Sequence, residues 1–191
     1  MKGIIFTEFL EMVEDRFGLE MVDRIIEQSD LESSGAYTAV GTYGHDELLQ
    51  LVCQLSASLA IPVPDLVRAF AHHLFKSFTS TYPYVLEGLN SSIEMLQNVE
   101  DFIHVEVKKL YPDAELPTIG FRKLREDCWE LTYRSRRPFA DLCEGLIEAC
   151  INHFGDDVHL EREDLDVDEG SAARFILHVT REAATCTNLT S

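Results

Sequence analysis

Residues 98–137 hold one histidine, His104, a Leu116-Pro117 pair and a Tyr133-x-Ser135-x-Arg137 run, and these are the residue types that could do chemistry together. A neutral imidazole can ligate a metal through one ring nitrogen. A phenol, a hydroxyl and a guanidinium in line suit a dianionic ligand entering an apolar pocket. Arginine offers bidentate charge-assisted bonds there, and Tyr and Ser add directional donors. Haem, with one iron and two propionates, matches both halves. Spacing alone leaves plainer alternatives open. His104 can be a structural histidine, and Arg137 can pair with one of the chain's many carboxylates where a strand reaches solvent.

The elements that must position these residues follow from apolar periodicity. Leu96, Val99, Ile103, Val107 and Leu110 recur at helical spacing, so 91–111 is expected as one helix stopped by Tyr111-Pro112, with His104 at the edge of its buried stripe. Trp129, Leu131, Tyr133 and Ser135 alternate with Glu130, Thr132 and Arg134, the period of a half-buried strand, and Arg137 joins the first face if the run continues. Upstream, helices are expected at 4–17, closed by Gly18, and at 19–28. A loop at 33–43 follows, then a helix through Leu59 that His45-Asp46 could open, a turn bracketed by Pro62 and Pro64, and a helix at 65–79. Downstream, Pro138 suits a first helical turn and Phe139 to Phe154 reads as a helix ending at Gly155. Val158–Glu163 and Ala173–Thr180 read as a hairpin around 168–170. With 117–123 and 127–136 they make a four-stranded antiparallel sheet, and the fold class is α+β. The tail from 182 to 191 is polar and expected to fray.

Composition narrows the partners. The chain has 191 residues, 46% of them hydrophobic, enough for one domain with a buried cofactor. Its 16 Lys and Arg against 34 Asp and Glu give a formal charge of -18, which repels phosphate backbones and anionic membrane surfaces. Arg134, Arg136 and Arg137 stand out as a local basic patch on this acidic background. Glu8, Glu11 and Glu14 interrupt any signal or spanning segment, so a cytoplasmic location is expected. The five cysteines show no C-x-x-C and read as reduced thiols. Cys143 and Cys150, near His153, read as helix core before metal ligands. Among the other histidines, His45, His153, His159 and His178 read as structural or solvated, whereas His72 and His73 on the 65–79 helix compete with His104.

Taken together, His104 within F-I-H-x-E-V-x-K-L-Y-P, Pro117, Tyr133-x-Ser135-x-Arg137 followed by Glu144-Gly145-Leu146-Ile147, and the opening Met1-Lys2-Gly3-Ile4-Ile5-Phe6 resemble the haem-nitric oxide/oxygen binding (H-NOX) domains over about residues 1–181. The resemblance implies a helical lobe at about 1–62, a haem-ligating lobe at about 63–181, and haem b between them. It implies His104 as proximal iron ligand, Tyr133, Ser135 and Arg137 on the propionates, and Pro117 pressing on the porphyrin. The distal wall would be Ile5, Phe9, Leu74, Phe78, Leu142 and Leu146. In oxygen-binding relatives a tyrosine supplies a distal donor at the position of Leu142. An apolar wall therefore implies binding of nitric oxide and carbon monoxide but not dioxygen. Nitric oxide would loosen the bond between iron and His104 and shift the helical lobe. With no kinase or cyclase motif in the chain, the output would pass to a histidine kinase or a diguanylate cyclase/phosphodiesterase protein, and the chain would not be an enzyme. Residues 160–176 hold neither Cys nor His, so the zinc cluster of some relatives is not expected. The competing readings are a haem peroxidase or oxygenase, which would need His72 or His73 turned inward, a dioxygen-binding H-NOX, and a haem-free scaffold.

Overall fold

In the computed structural model, which describes residues 1–180, the apolar spacing upstream becomes four helices: α1 (Gly3–Phe17), α2 (Leu19–Glu27), α3 (His45–Leu59) and α4 (Val63–Thr81). The tail expected at 182–191, Cys186 and the expected domain end at 181 lie outside the described residues. His45 begins α3. The expected turn at Pro62 and Pro64 is instead the start of α4, with Pro62 as its cap and Pro64 in the first turn, where a missing N–H costs no helical hydrogen bond. The apolar stripes of these helices meet in one core around Phe6, Phe9, Leu51, Leu55 and Phe70, each at most 1% exposed.

The expected helix over 91–111 is broken in three: α5 (Ser92–Gln97), a π-helical turn (Val99–Ile103) and α6 (His104–Leu110). Asn98 causes the break. Its side-chain amide donates to Glu94 O (2.8 Å), and its carbonyl accepts from both Phe102 N (3.0 Å) and Ile103 N (3.1 Å), which widens the turn by one residue.

The strands are β1 (Thr118–Arg125), β2 (Cys128–Ser135), β3 (Val158–Leu165) and β4 (Ser171–Val179), all antiparallel, in the order β1-β2-β4-β3. Alternation sends Leu131, Tyr133, Phe175 and Leu177 inward, where they form a second core with Ile147 and Cys150 of α7 (Ala140–Phe154). Pro138 lies just outside α7, which Phe139 caps. Arg162 of β3 ties α7 to the sheet through Asp141 (2.6 Å) and Glu144 (2.7 Å). At the start of α1, Lys2 Nζ bonds Asp113 (3.1 Å) and Val40 O (2.7 Å), pinning the N-terminus to the loop after α6. No single helix among the described residues is long and apolar enough to cross a membrane.

Where α4 crosses α7, Gly145 lets the backbones touch. A Cβ there would lie 2.6 Å from Ala71 Cβ and 2.9 Å from Arg68 Cα and O. Gly145→Ala should therefore lower stability despite the roughly 1 kcal/mol gain in helix propensity, because overpacking costs about 1–3 kcal/mol. Denaturant unfolding reads the difference. A variant more stable than the parent would mean that the crossing is not tight.

Candidate functional site

Helices α1, α4 and α7, the π turn with α6, and the inner faces of β1 and β2 enclose a cavity of about 360 Å³. Its walls are mainly apolar because each element turns its apolar stripe inward: Ile5 from α1, Leu74 and Phe78 from α4, Leu142 and Leu146 from α7. Phe9, expected on the same wall, packs instead edge to face on Phe70 (centroids 5.3 Å apart) in the helical core and does not line the cavity. Hydroxyls occur at the periphery. Thr79 Oγ1 donates to Phe75 O (2.8 Å), Tyr82 is hydrogen-bonded to Tyr111, and Tyr84 is exposed.

His104, the first residue of α6, stands in the cavity wall. Its Nδ1 lies 3.0 Å from Glu100 Oε2, and that same oxygen accepts from Ile119 N (3.0 Å). A carboxylate at Nδ1 puts the ring proton there and leaves the lone pair on Nε2, the arrangement of a metal-binding histidine. Burial holds the imidazole below the ordinary histidine range, and the charge and hydrogen bond of Glu100 pull it partly back. The π turn and α6 bury no side chain completely, because inward residues such as Ile103 and Val107 front the cavity.

The strand face reaches the cavity as expected: Leu131, Tyr133, Ser135 and, beyond the strand, Arg137 all line it, together with Pro117. Burial raises the Tyr133 phenol above its usual range, opposed by hydrogen bonds with the Ser135 and Ser171 hydroxyls. Ser135 Oγ accepts from Arg137 N (3.1 Å), and Ser171 Oγ donates to Arg137 O (2.8 Å), so two serines fix the backbone that carries the guanidinium. Gly170, at φ +78°, packs on Ser135 O, where a Cβ would come within 2.0 Å. This contact seats the end of the β3–β4 hairpin against the site. The guanidinium donates to Glu115 O and Oε2, both at 2.7 Å, which leaves further N–H groups for an anion. Beyond these residues a wider cleft of about 790 Å³ opens outward, sharing His104, Pro117, Ser135 and Arg137 with the cavity.

The competing histidines lie elsewhere. His72 Nε2 faces Glu148 (3.5 Å), His73 Nε2 faces Glu8 (3.3 Å), and neither lines the cavity. Cys143 and Cys150 line it as buried thiols, pushed up to about 12 by burial, and Cys150 Sγ donates to Ser92 O (3.8 Å). Sequence reasoning missed Glu100, Glu115 and Ser171. Glu100 precedes His104 by four residues, a spacing that places neighbours on one helix face. The other two depend on a loop path and a strand register. An apolar slot with one imidazole in its wall and a Tyr, Ser and Arg cluster at its mouth fits a planar metal chelate carrying carboxylates on one edge.

Comparison with known proteins agrees with that fit. A sequence profile of the haem-NO-binding family matches residues 2–162. The unliganded Fe(II) H-NOX protein from K. algicida is 43% identical over 96% of this chain and 98% of its own, with a TM-score of 0.87. The IWP-051-bound H-NOX from Shewanella woodyi, in the Fe(II)CO state, is 39% identical over 100% and 99%, with a TM-score of 0.79. The Fe(II)NO H-NOX protein from S. oneidensis is 26% identical over 95% and 100%, with a TM-score of 0.84. Among curated proteins none matches.

Replacing Glu100 with Leu removes the acceptor of both His104 Nδ1 and Ile119 N. Unfolding should show a loss of about 1 kcal/mol. Imidazole NMR of the iron-free chain should show His104 titrating at lower pH, since the charge that opposes burial is gone. A titration that stays or rises would contradict the pairing.

Proposed function

Because the chain belongs to the haem-NO-binding family of gas-sensing haem domains, we propose that it is a cytoplasmic sensor that binds nitric oxide and carbon monoxide, excludes dioxygen, and reports to a separate protein. The observation that carries this reading is the pairing of His104 Nδ1 with Glu100, which leaves Nε2 as the ring nitrogen able to hold iron. Bound haem supplies a ferrous iron with one axial position for a protein nitrogen and one for a diatomic gas. His104 occupies the first of these, aligned by Glu100. Tyr133, Ser135 and Arg137 hold the propionates, the arginine by paired N–H bonds and the phenol and hydroxyl by directional ones. Pro117 bears on the ring from the same wall.

Gas choice follows from what the opposite wall lacks. Ile5, Leu74, Phe78, Leu142 and Leu146 carry no hydrogen-bond donor in their side chains and keep water out. Dioxygen binding benefits from a donor, whereas nitric oxide and carbon monoxide have little need of one. Phe9 supports this wall through the helical core and does not form part of it. His72 and His73 lie outside the cavity, so no imidazole faces the gas side as acid or base in the way a peroxidase or oxygenase would require.

Signalling needs two states that a partner distinguishes by contacts. α1 touches the gas side through Ile5 and is pinned to the loop after α6 through Lys2 and Asp113, so tension on His104 reaches α1 along α6. The reader of that shift is a histidine kinase or a diguanylate cyclase/phosphodiesterase protein.

His104→Gly should lose the parent's ferrous absorption spectrum and regain it with added imidazole. An unchanged spectrum without imidazole would remove His104 from the axial position. Leu142→Tyr should gain dioxygen binding, seen as a ferrous spectrum that changes in air and reverses under vacuum. A parent protein that already does this would overturn the proposed gas choice.

A further inference from the structure

The outer cleft carries an uneven charge. Lys108 of α6, Arg134 of β2 and Arg136 line it, and among the described residues none of the three has a carboxylate partner. Other cations of α6 and the sheet are neutralised: Lys109 by Glu106, Arg122 by Glu130, Arg137 by Glu115, Arg162 by Asp141 and Arg174 by Glu163. Of the acids lining the cleft, Glu100 is engaged by His104 and Ile119, and Glu115 by Arg137, leaving Glu169 on the opposite rim unpaired. The cleft wall on the α6 and β2 side is therefore cationic on a chain of net charge -18.

That contrast matters for an anionic cofactor. At long range the acidic chain repels a porphyrin bearing two carboxylates. Within a Debye length, about 8 Å at physiological salt, the local cations decide the sign of the force. The cleft is also the way in, because it shares His104, Pro117, Ser135 and Arg137 with the inner cavity.

We propose that Lys108, Arg134 and Arg136 form a landing site for the carboxylates of haem, which docks in the outer cleft before moving inward to Tyr133, Ser135 and Arg137. This rests on the reading of the cavity as the haem seat. The three side chains are exposed and face the approach, so they act on the rate of loading and unloading and leave the strength of the final complex unchanged.

The test follows haem uptake by the haem-free full-length chain in a stopped-flow instrument, and haem loss to an acceptor globin. It compares the parent, R134Q/R136Q with and without K108Q, and R16Q/R24Q, which removes equal charge from exposed residues of α1 and α2. At low salt R134Q/R136Q should slow uptake by about tenfold, within the range of electrostatic steering. Loss should slow by the same factor, the affinity and ferrous spectrum should stay unchanged, and added salt should erase the difference. K108Q should deepen the effect. Uptake equal to the parent, or slowed equally by R16Q/R24Q, would overturn the landing site. So would faster loss with weaker affinity, which would make these residues part of the seat. If uptake still depended on the three cations while the spectrum ignored His104, the sensor reading would fall and the landing site would stand.

Discussion

Oε2 of Glu100 accepts hydrogen bonds from two directions at once, from His104 Nδ1 and from Ile119 N, each at 3.0 Å. That one oxygen joins the π turn, α6 and β1, three segments whose relative placement decides where the imidazole sits. Without it, a half-buried ring on a short helix would have rotational freedom, and its tautomer would be unspecified. The surrounding fold supports this contact. β2 holds β1 in register, α7 backs the sheet, and α4 closes on α7 through Gly145.

Around that contact the chain separates apolar from charged work. The cavity walls are built from side chains that would otherwise be ordinary core. Its mouth gathers a phenol, two serine hydroxyls and a guanidinium whose backbone is held on both sides by Ser135 and Ser171. The guanidinium already shares two N–H groups with Glu115. An incoming carboxylate therefore meets a donor set already oriented, which reduces the ordering cost of binding.

Much of this was legible in the residues. Helical and alternating apolar spacing located most elements, and the β2 face of Leu131, Tyr133 and Ser135, continued by Arg137, reaches the cavity as the alternation implied. What spacing could not supply was geometry set at a distance. Phe9 shares a helix with Ile5, yet the roll of α1 against α4 turns it onto Phe70. Ser171 meets Ser135 only through the register of β2 with β4. The break at Asn98 was hidden because Val99 and Ile103 keep an apolar period that a π turn also satisfies. Pro64 was misplaced for a local reason: proline punctuates a turn and begins a helix equally well.

The π turn at Val99–Ile103 has a consequence for how such a gene can drift. A wide turn of this kind amounts to a helix that has absorbed one extra residue. Losing a single codon there would swing every later side chain of the helix by about 100° and carry His104 off the cavity wall. Exchange of one amino acid for another is open to this segment, whereas a change in its length is closed.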